Sequence, residues 1–298
     1  MLELGVGADI FRSIGWIYLG LTLICVMLAI WLPKQLWLKS MAAIATLIGF
    51  GYAPVTSYFE TVAKSEITKI KYDTAMMLFK ERCSNAGEKI YKTVDDVQGV
   101  LLLKLRAKEI NFADQFKLDD PFGAEGGAYG DDYIRLLLLS TEDLGYERLE
   151  KPRYKGFRYV DTIDPENASK RYRYSVRRTD LKSGLPEDKF PLDRQVLTSE
   201  PSRYGITYED ISTPQDRENW IAGSALRIID LQSKETIAER IGYMVDQGLG
   251  NTAGGRSPWA FAYNTACPAF PQASGGGAMR VGNTRRFIFS VFKSKSGD

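Results

Sequence analysis

The sequence predicts an α+β protein anchored in a membrane: an N-terminal two-helix transmembrane hairpin, an amphipathic connecting helix, then a mainly antiparallel β domain, a sandwich or partly closed barrel. Three observations carry this. Long uncharged runs fill the first sixty residues, an apolar stripe of helical period follows, and beyond Lys89 the chain becomes a series of short β-branched and aromatic runs.

Ile14 to Leu32 reads IGWIYLGLTLICVMLAIWL, nineteen residues without a charge, and at ~1.5 Å per residue it spans about one hydrocarbon thickness. A second run, Met41 to Phe59, carries Gly49, Gly51 and Pro54, which a neighbouring helix makes tolerable. Trp16, Tyr18 and Tyr58 at one side and Trp31 and Trp37 at the other form two aromatic belts. Spans at 14–32 and 41–59 put both termini on one side. Lysine counts conflict over which side: Lys34 and Lys39 crowd the short loop, whereas Lys64, Lys69 and Lys71 follow the second run.

Residues 60–87 carry Ala63, Ile67, Ile70 and Met77 at helical spacing among lysines, with Gly87 as the expected stop. Residues 88–293 read as one β-rich extramembrane domain and 294–298 as a disordered tail. The strand runs are KIYKTV, GVLLLKLR, GFRYVDTI, KRYRYSVRR, YGITYEDI, ALRIIDL, TIAERIGYMV and RRFIFSVF. Asp230 to Lys234 can turn a hairpin, DDYIRLLLLS fits a strand or a helix, and Thr213 with Pro214 starts a short helix. Trp259, Phe261 and Tyr263 at alternate positions suggest the aromatic face of one more strand.

The chain contains no histidine and carries a formal charge of only +2. The first fact removes Ser-His-Asp and Cys-His nucleophiles and histidine-ligated metals; the second gives no reason to expect nucleic acid. No cofactor or metal is expected. The acidic pairs Asp119/Asp120, Asp131/Asp132 and Glu209/Asp210 are adjacent in sequence. On a strand neighbours face opposite ways, so Glu209 and Asp210 form no catalytic pair, and acids in loops read as solvated.

Cys25 lies in the first apolar run, leaving Cys83 and Cys267 as the pair able to form a disulfide. Such bonds persist in oxidising compartments: either the two pair and the domain faces a periplasm-like space, or they are unrelated buried thiols of a cytosolic domain. Two further segments read as ligand or partner sites. In KRYRYSVRR, Arg171, Arg173 and Arg177 share a strand face, and residues 148–178 hold ten basic against four acidic side chains, either a solvated face or a patch for lipid headgroups, an anionic ligand or an acidic partner. In DQGLGNTAGGR, Gly248, Gly250, Gly254, Gly255 and Arg256 form a loop whose amides can cradle an anion, although no helix opens after it as a dinucleotide fingerprint requires.

The functional expectation is a non-enzymatic, membrane-tethered binding or scaffold protein of the bacterial inner membrane, with its β-rich domain in the periplasm. Its partners would be the lipid bilayer, a protein at the membrane and an anionic ligand, with a homo-oligomer open. The alternative is a two-span membrane effector whose cytosolic β-domain senses a small anion, a layout similar to two-span bacterial defence effectors with a β-barrel sensor. A histidine-free hydrolase is the third reading.

Overall fold

The computed structural model describes residues 5–106, 116, 122–123, 130–146, 153–176, 190–271 and 282–293, with side chains from residue 13 onward. The expected tail, 294–298, lies outside the described residues. The chain divides into two compact units, Met1–Ile70 and Lys71–Asp298.

The first unit holds α1, Gly5–Trp31, and most of α2, Leu36–Cys83. Both are long and apolar enough to cross a membrane by length and composition, and their apolar windows are unburied, with mean hydropathy 2.2 and 1.3. Pro33 disfavours helix at Leu32 and ends α1. No further breaker follows, so α2 starts at Leu36, ahead of the expected Met41, and the connection shrinks to residues 32–35.

Pro54 lies inside α2. Lacking an N–H, it leaves the Phe50 carbonyl without the usual donor four residues on. The Tyr18 hydroxyl of α1 donates to that carbonyl, and the two rings sit 5.8 Å apart. Tyr18, read from sequence as an interfacial anchor, thus supplies the missing donor. Ala45 and Gly49 line the groove beside it, where small side chains allow close approach.

The amphipathic helix expected at 60–87 continues directly from the second apolar run, and α2 runs unbroken to Cys83. A tight turn follows, with Ser84, Asn85 and Ala86 each donating to the carbonyl three residues back, so Gly87 opens the first strand instead of ending the helix.

The second unit is built on a nine-stranded sheet. Its strands are β1 Gly87–Ile90, β3 Gly99–Leu102, β4 Tyr159–Ile163, β5 Arg171–Val176, β6 Leu192–Val196, β7 Tyr204–Asp210, β8 Ile221–Asp230, β9 Glu235–Val245 and β10 Ala266–Cys267. They run in the order β1-β9-β8-β7-β3-β4-β5-β6, with β10 also on β9. The sheet is mixed: β3 is parallel to both β4 and β7, and the remaining pairs are antiparallel. A separate parallel pair joins β2, Val94–Asp95, to β11, Phe292–Lys293.

A parallel pair needs a crossover, and α3, Asp131–Leu138, lies in the one between β3 and β4. This settles DDYIRLLLLS as a helix. The last strand run, RRFIFSVF, is a correction: it forms helix α6, Asn283–Val291. Thr284, Phe287, Ile288 and Val291 are all buried and fall at i, i+3, i+4 and i+7, one helical face. The alternation Phe287, Phe289, Val291 imitated a strand because Phe289, away from that face, is apolar and buried as well. Arg285, fully buried, donates to the Leu136 and Leu139 carbonyls, joining α6 to the C-terminal end of α3 where a cation is favoured.

Strand β8 alternates between two covered faces. Leu226 and Ile228 belong to the core under α3 and α6, and Ala222 to a smaller cluster with Met244 and Trp259. Ile221, Tyr243 and Val245 point the other way, against Leu78 and Phe79 at the end of α2. The turn expected at Asp230–Lys234 closes the β8–β9 hairpin. At its start, Arg203 holds the Asp230 carboxylate with two hydrogen bonds, Nε–Oδ1 2.9 Å and Nη2–Oδ2 2.6 Å.

Two outcomes are expected. Ile288→Ala, at a fully buried position, lowers unfolding free energy by about 2–5 kcal/mol in denaturant titrations. The Arg203 hydrogen bonds lower the Asp230 pKa from 3.8 to about 2; because the folded value lies below the unfolded one, this contribution is full above pH 3.8 and fades as pH falls through about 2. Thermal melts across that window show a shallower acid loss for Arg203→Gln than for the parent.

Candidate functional site

The candidate site is the corner where β9, β10 and the start of α6 meet. Strand β10 has two residues, and pairing with β9 aligns Ala266 with Met244 and Cys267 with Tyr243. Neighbours on a strand face opposite ways. Ala266 therefore packs with Met244 and Trp259, while Cys267 points to the face covered by α2.

There Cys83 forms a disulfide with Cys267, Cα–Cα 5.6 Å, across 184 positions of sequence. This is the pairing read from the cysteine count. A second tie lies one residue earlier: Arg82 Nε donates to Asp216 Oδ1 at 2.9 Å. Asp216 is fully buried in α4, Pro214–Glu218, whose Thr213 capping box also uses that carboxylate. The Arg82 pKa is raised, first by this hydrogen bond.

The glycine-rich loop does cradle an anion, and the anion is its own Asp246. That carboxylate is fully buried and accepts from the Gly248 amide at 3.1 Å, the Gly250 amide at 2.8 Å and Arg256 Nη1 at 2.9 Å. Gly250, at φ +81°, also lies so close to Trp220 that a Cβ would fall 2.0 Å from the indole. The hydrogen bond to Asp246 raises the Arg256 pKa. Gly254 and Gly255 lie in a 3-10 turn with open space around them.

Past this loop, SPWAFAYN forms the short helix α5, Pro258–Ala262, in place of the expected strand. Ser257 precedes it and Pro258 takes its first position, which favours helix. Trp259 and Tyr263, four residues apart, are buried, whereas Phe261 is 52% exposed. The three rings share no face.

The basic strand is β5. Arg173 sits opposite Asp161 across β4–β5 and holds it through Nε–Oδ1 at 2.7 Å and Nη2–Oδ2 at 2.9 Å. Asp161 is fully buried and also accepts from the Ser202 amide and hydroxyl. Arg173 stacks 3.8 Å over Tyr159, and its pKa is raised, first by the Asp161 hydrogen bond. Arg171 is exposed, and Arg177 lies outside the described residues. Of the acidic pairs, Glu209 and Asp210 pair separately with Arg227 and Arg217, and Asp132 with Arg135.

Sequence reading missed a cavity of about 370 Å³ beside the disulfide. Its lining includes Glu88 of β1, Arg240 of β9, Phe122, Pro268 next to Cys267, and Asn283 and Arg286 of α6. Those residues are scattered along the chain, so only the tertiary fold brings them together.

Removing the disulfide by Cys267→Ser lowers unfolding free energy by about 2–5 kcal/mol and exposes β10 amides to hydrogen exchange. Asp246→Ala leaves two loop amides and Arg256 without their acceptor and costs about 3 kcal/mol, read from chemical denaturation.

Compared with protein-family models, with curated proteins and with solved structures, the chain matches none.

Proposed function

We propose that this chain is a non-enzymatic, membrane-tethered binding protein whose globular unit faces an oxidising compartment, the periplasm of a bacterial inner membrane. The disulfide carries the reading. It joins the last turn of α2, the helix that also contains the second apolar run, to the rim of the cavity. Bonds of this kind persist outside the reducing cytosol.

Two observations support anchoring. The apolar side chains of α1 and the first half of α2 are exposed, among them Trp16 at 70%, Met27 at 65% and Ile48 at 63%, and water disfavours such a surface. The Tyr18–Phe50 hydrogen bond supplies a partner to a carbonyl that hydrocarbon would otherwise leave unsatisfied.

Binding is favoured over catalysis by what the buried acids do. Asp161, Asp216 and Asp246 are each held by an arginine and by backbone or hydroxyl donors, the bonding pattern of structural carboxylates. Tethering raises the effective concentration of the domain near membrane targets, so modest contacts suffice.

Membrane-impermeant maleimide labelling of intact cells, in a Cys25→Ala background, tests the compartment. Labelling of Cys83 and Cys267 only after addition of reductant is the expected result. Labelling only after lysis, with no need of reductant, overturns it and favours the cytosolic anion-sensing effector.

A further inference from the structure

We infer that the cavity beside the disulfide binds a small organic monoanion, a carboxylate on an apolar body. The inference deepens the binding-module reading and rests on it, but not on the side of the membrane. The Gly-rich loop, the other anion candidate, is filled by Asp246, and Arg173 of the basic strand is committed to Asp161.

The donors of the cavity are held in place before any ligand arrives. Arg240 is 3% exposed; its Nη2 donates to Thr284 Oγ1 at 2.9 Å, and that hydroxyl donates to the Gly123 carbonyl at 3.0 Å. Its guanidinium lies 5.6 Å over the Phe287 ring. Arg286 Nη2 is fixed by Asn283 Oδ1 at 2.8 Å. Asn283 is the first residue of α6, a helix whose N-cap Gly282 supplies no side-chain acceptor, so the positive end of the helix dipole adds to two guanidiniums at one cavity.

The apolar wall is built as deliberately. Gly242, two residues along β9 from Arg240, leaves room for Phe122, whose ring would stand 1.9 Å from a Cβ there. Pro268 and Pro271 form another side. Glu88, directly across the β1–β9 pair from Arg240, is exposed at the rim. Among the described lining residues two guanidiniums stand against one carboxylate, a balance that suits a small anion. At about 370 Å³, the space suits a ligand of roughly a dozen non-hydrogen atoms.

The test is calorimetric titration of the full chain in detergent with phenylacetate, its neutral analogue phenylacetamide, and inorganic phosphate. Saturable binding of phenylacetate, at least about tenfold tighter than the amide or phosphate and weakened about tenfold by Arg286→Gln, is the expected result. Arg286→Gln keeps the disulfide and Arg240 in place; Arg240→Met gives a second reading if its melt matches the parent. Equal binding of acid and amide keeps a binding module and overturns the anion class. Phosphate equal to phenylacetate overturns the apolar body. No saturable binding up to about 10 mM overturns the small-anion ligand class and leaves the tethered-binding reading to be decided by the maleimide labelling.

Discussion

The second unit depends on the two-sided burial of the β8–β9 hairpin. Ten residues of β8 pair with β9, and each face meets a different cover: α6 with α3 on one, the end of α2 on the other. A strand pair buried on both sides cannot slip by one residue without exchanging those covers. The same register fixes where β10 lies, and so which way Cys267 points. The disulfide is therefore a consequence of strand alternation as much as of cysteine count.

Buried acids tie elements together at points spread across the second unit. The fully buried aspartates each receive an arginine from another element: Asp161 from β5, Asp216 from α2, Asp246 from the loop after the Gly-rich turn. Burying a lone carboxylate costs several kcal/mol, roughly, so each pair must stay complete. These pairs hold together strands, helix and loop that hydrophobic contact alone would leave free to slide. They also show why arginine clusters in sequence are poor guides to binding surfaces, since Arg173 and Arg256 face inward to structural acids.

The proline in α2 illustrates the same economy in the first unit. Pro54 removes a donor from the Phe50 carbonyl, and Tyr18 on the neighbouring helix replaces it. That hydroxyl from the neighbouring helix fixes the two helices in one register.

The sequence by itself determined the elements with strong local causes. Uncharged length set the two apolar helices, β-branched runs bounded by turn residues set most strands, a Thr-Pro pair started α4, and two cysteines outside the uncharged runs set the disulfide. Tertiary structure decided what local pattern left degenerate. Phe287, Phe289 and Val291 alternate like a strand, yet Thr284, Phe287, Ile288 and Val291 also make a helical face, and packing over the sheet favoured the helix. The crossover that holds α3 accounts for β3 lying parallel to β4, and the parallel pairing of β3 with β7 is a further long-range contact with no local signature. The Gly-rich loop was legible as an anion cradle, but its anion was one of its own residues. The cavity was not legible, because Glu88, Phe122, Arg240, Pro268 and Arg286 come from five separate stretches, and only a folded sheet brings side chains so distant in sequence within reach of one ligand.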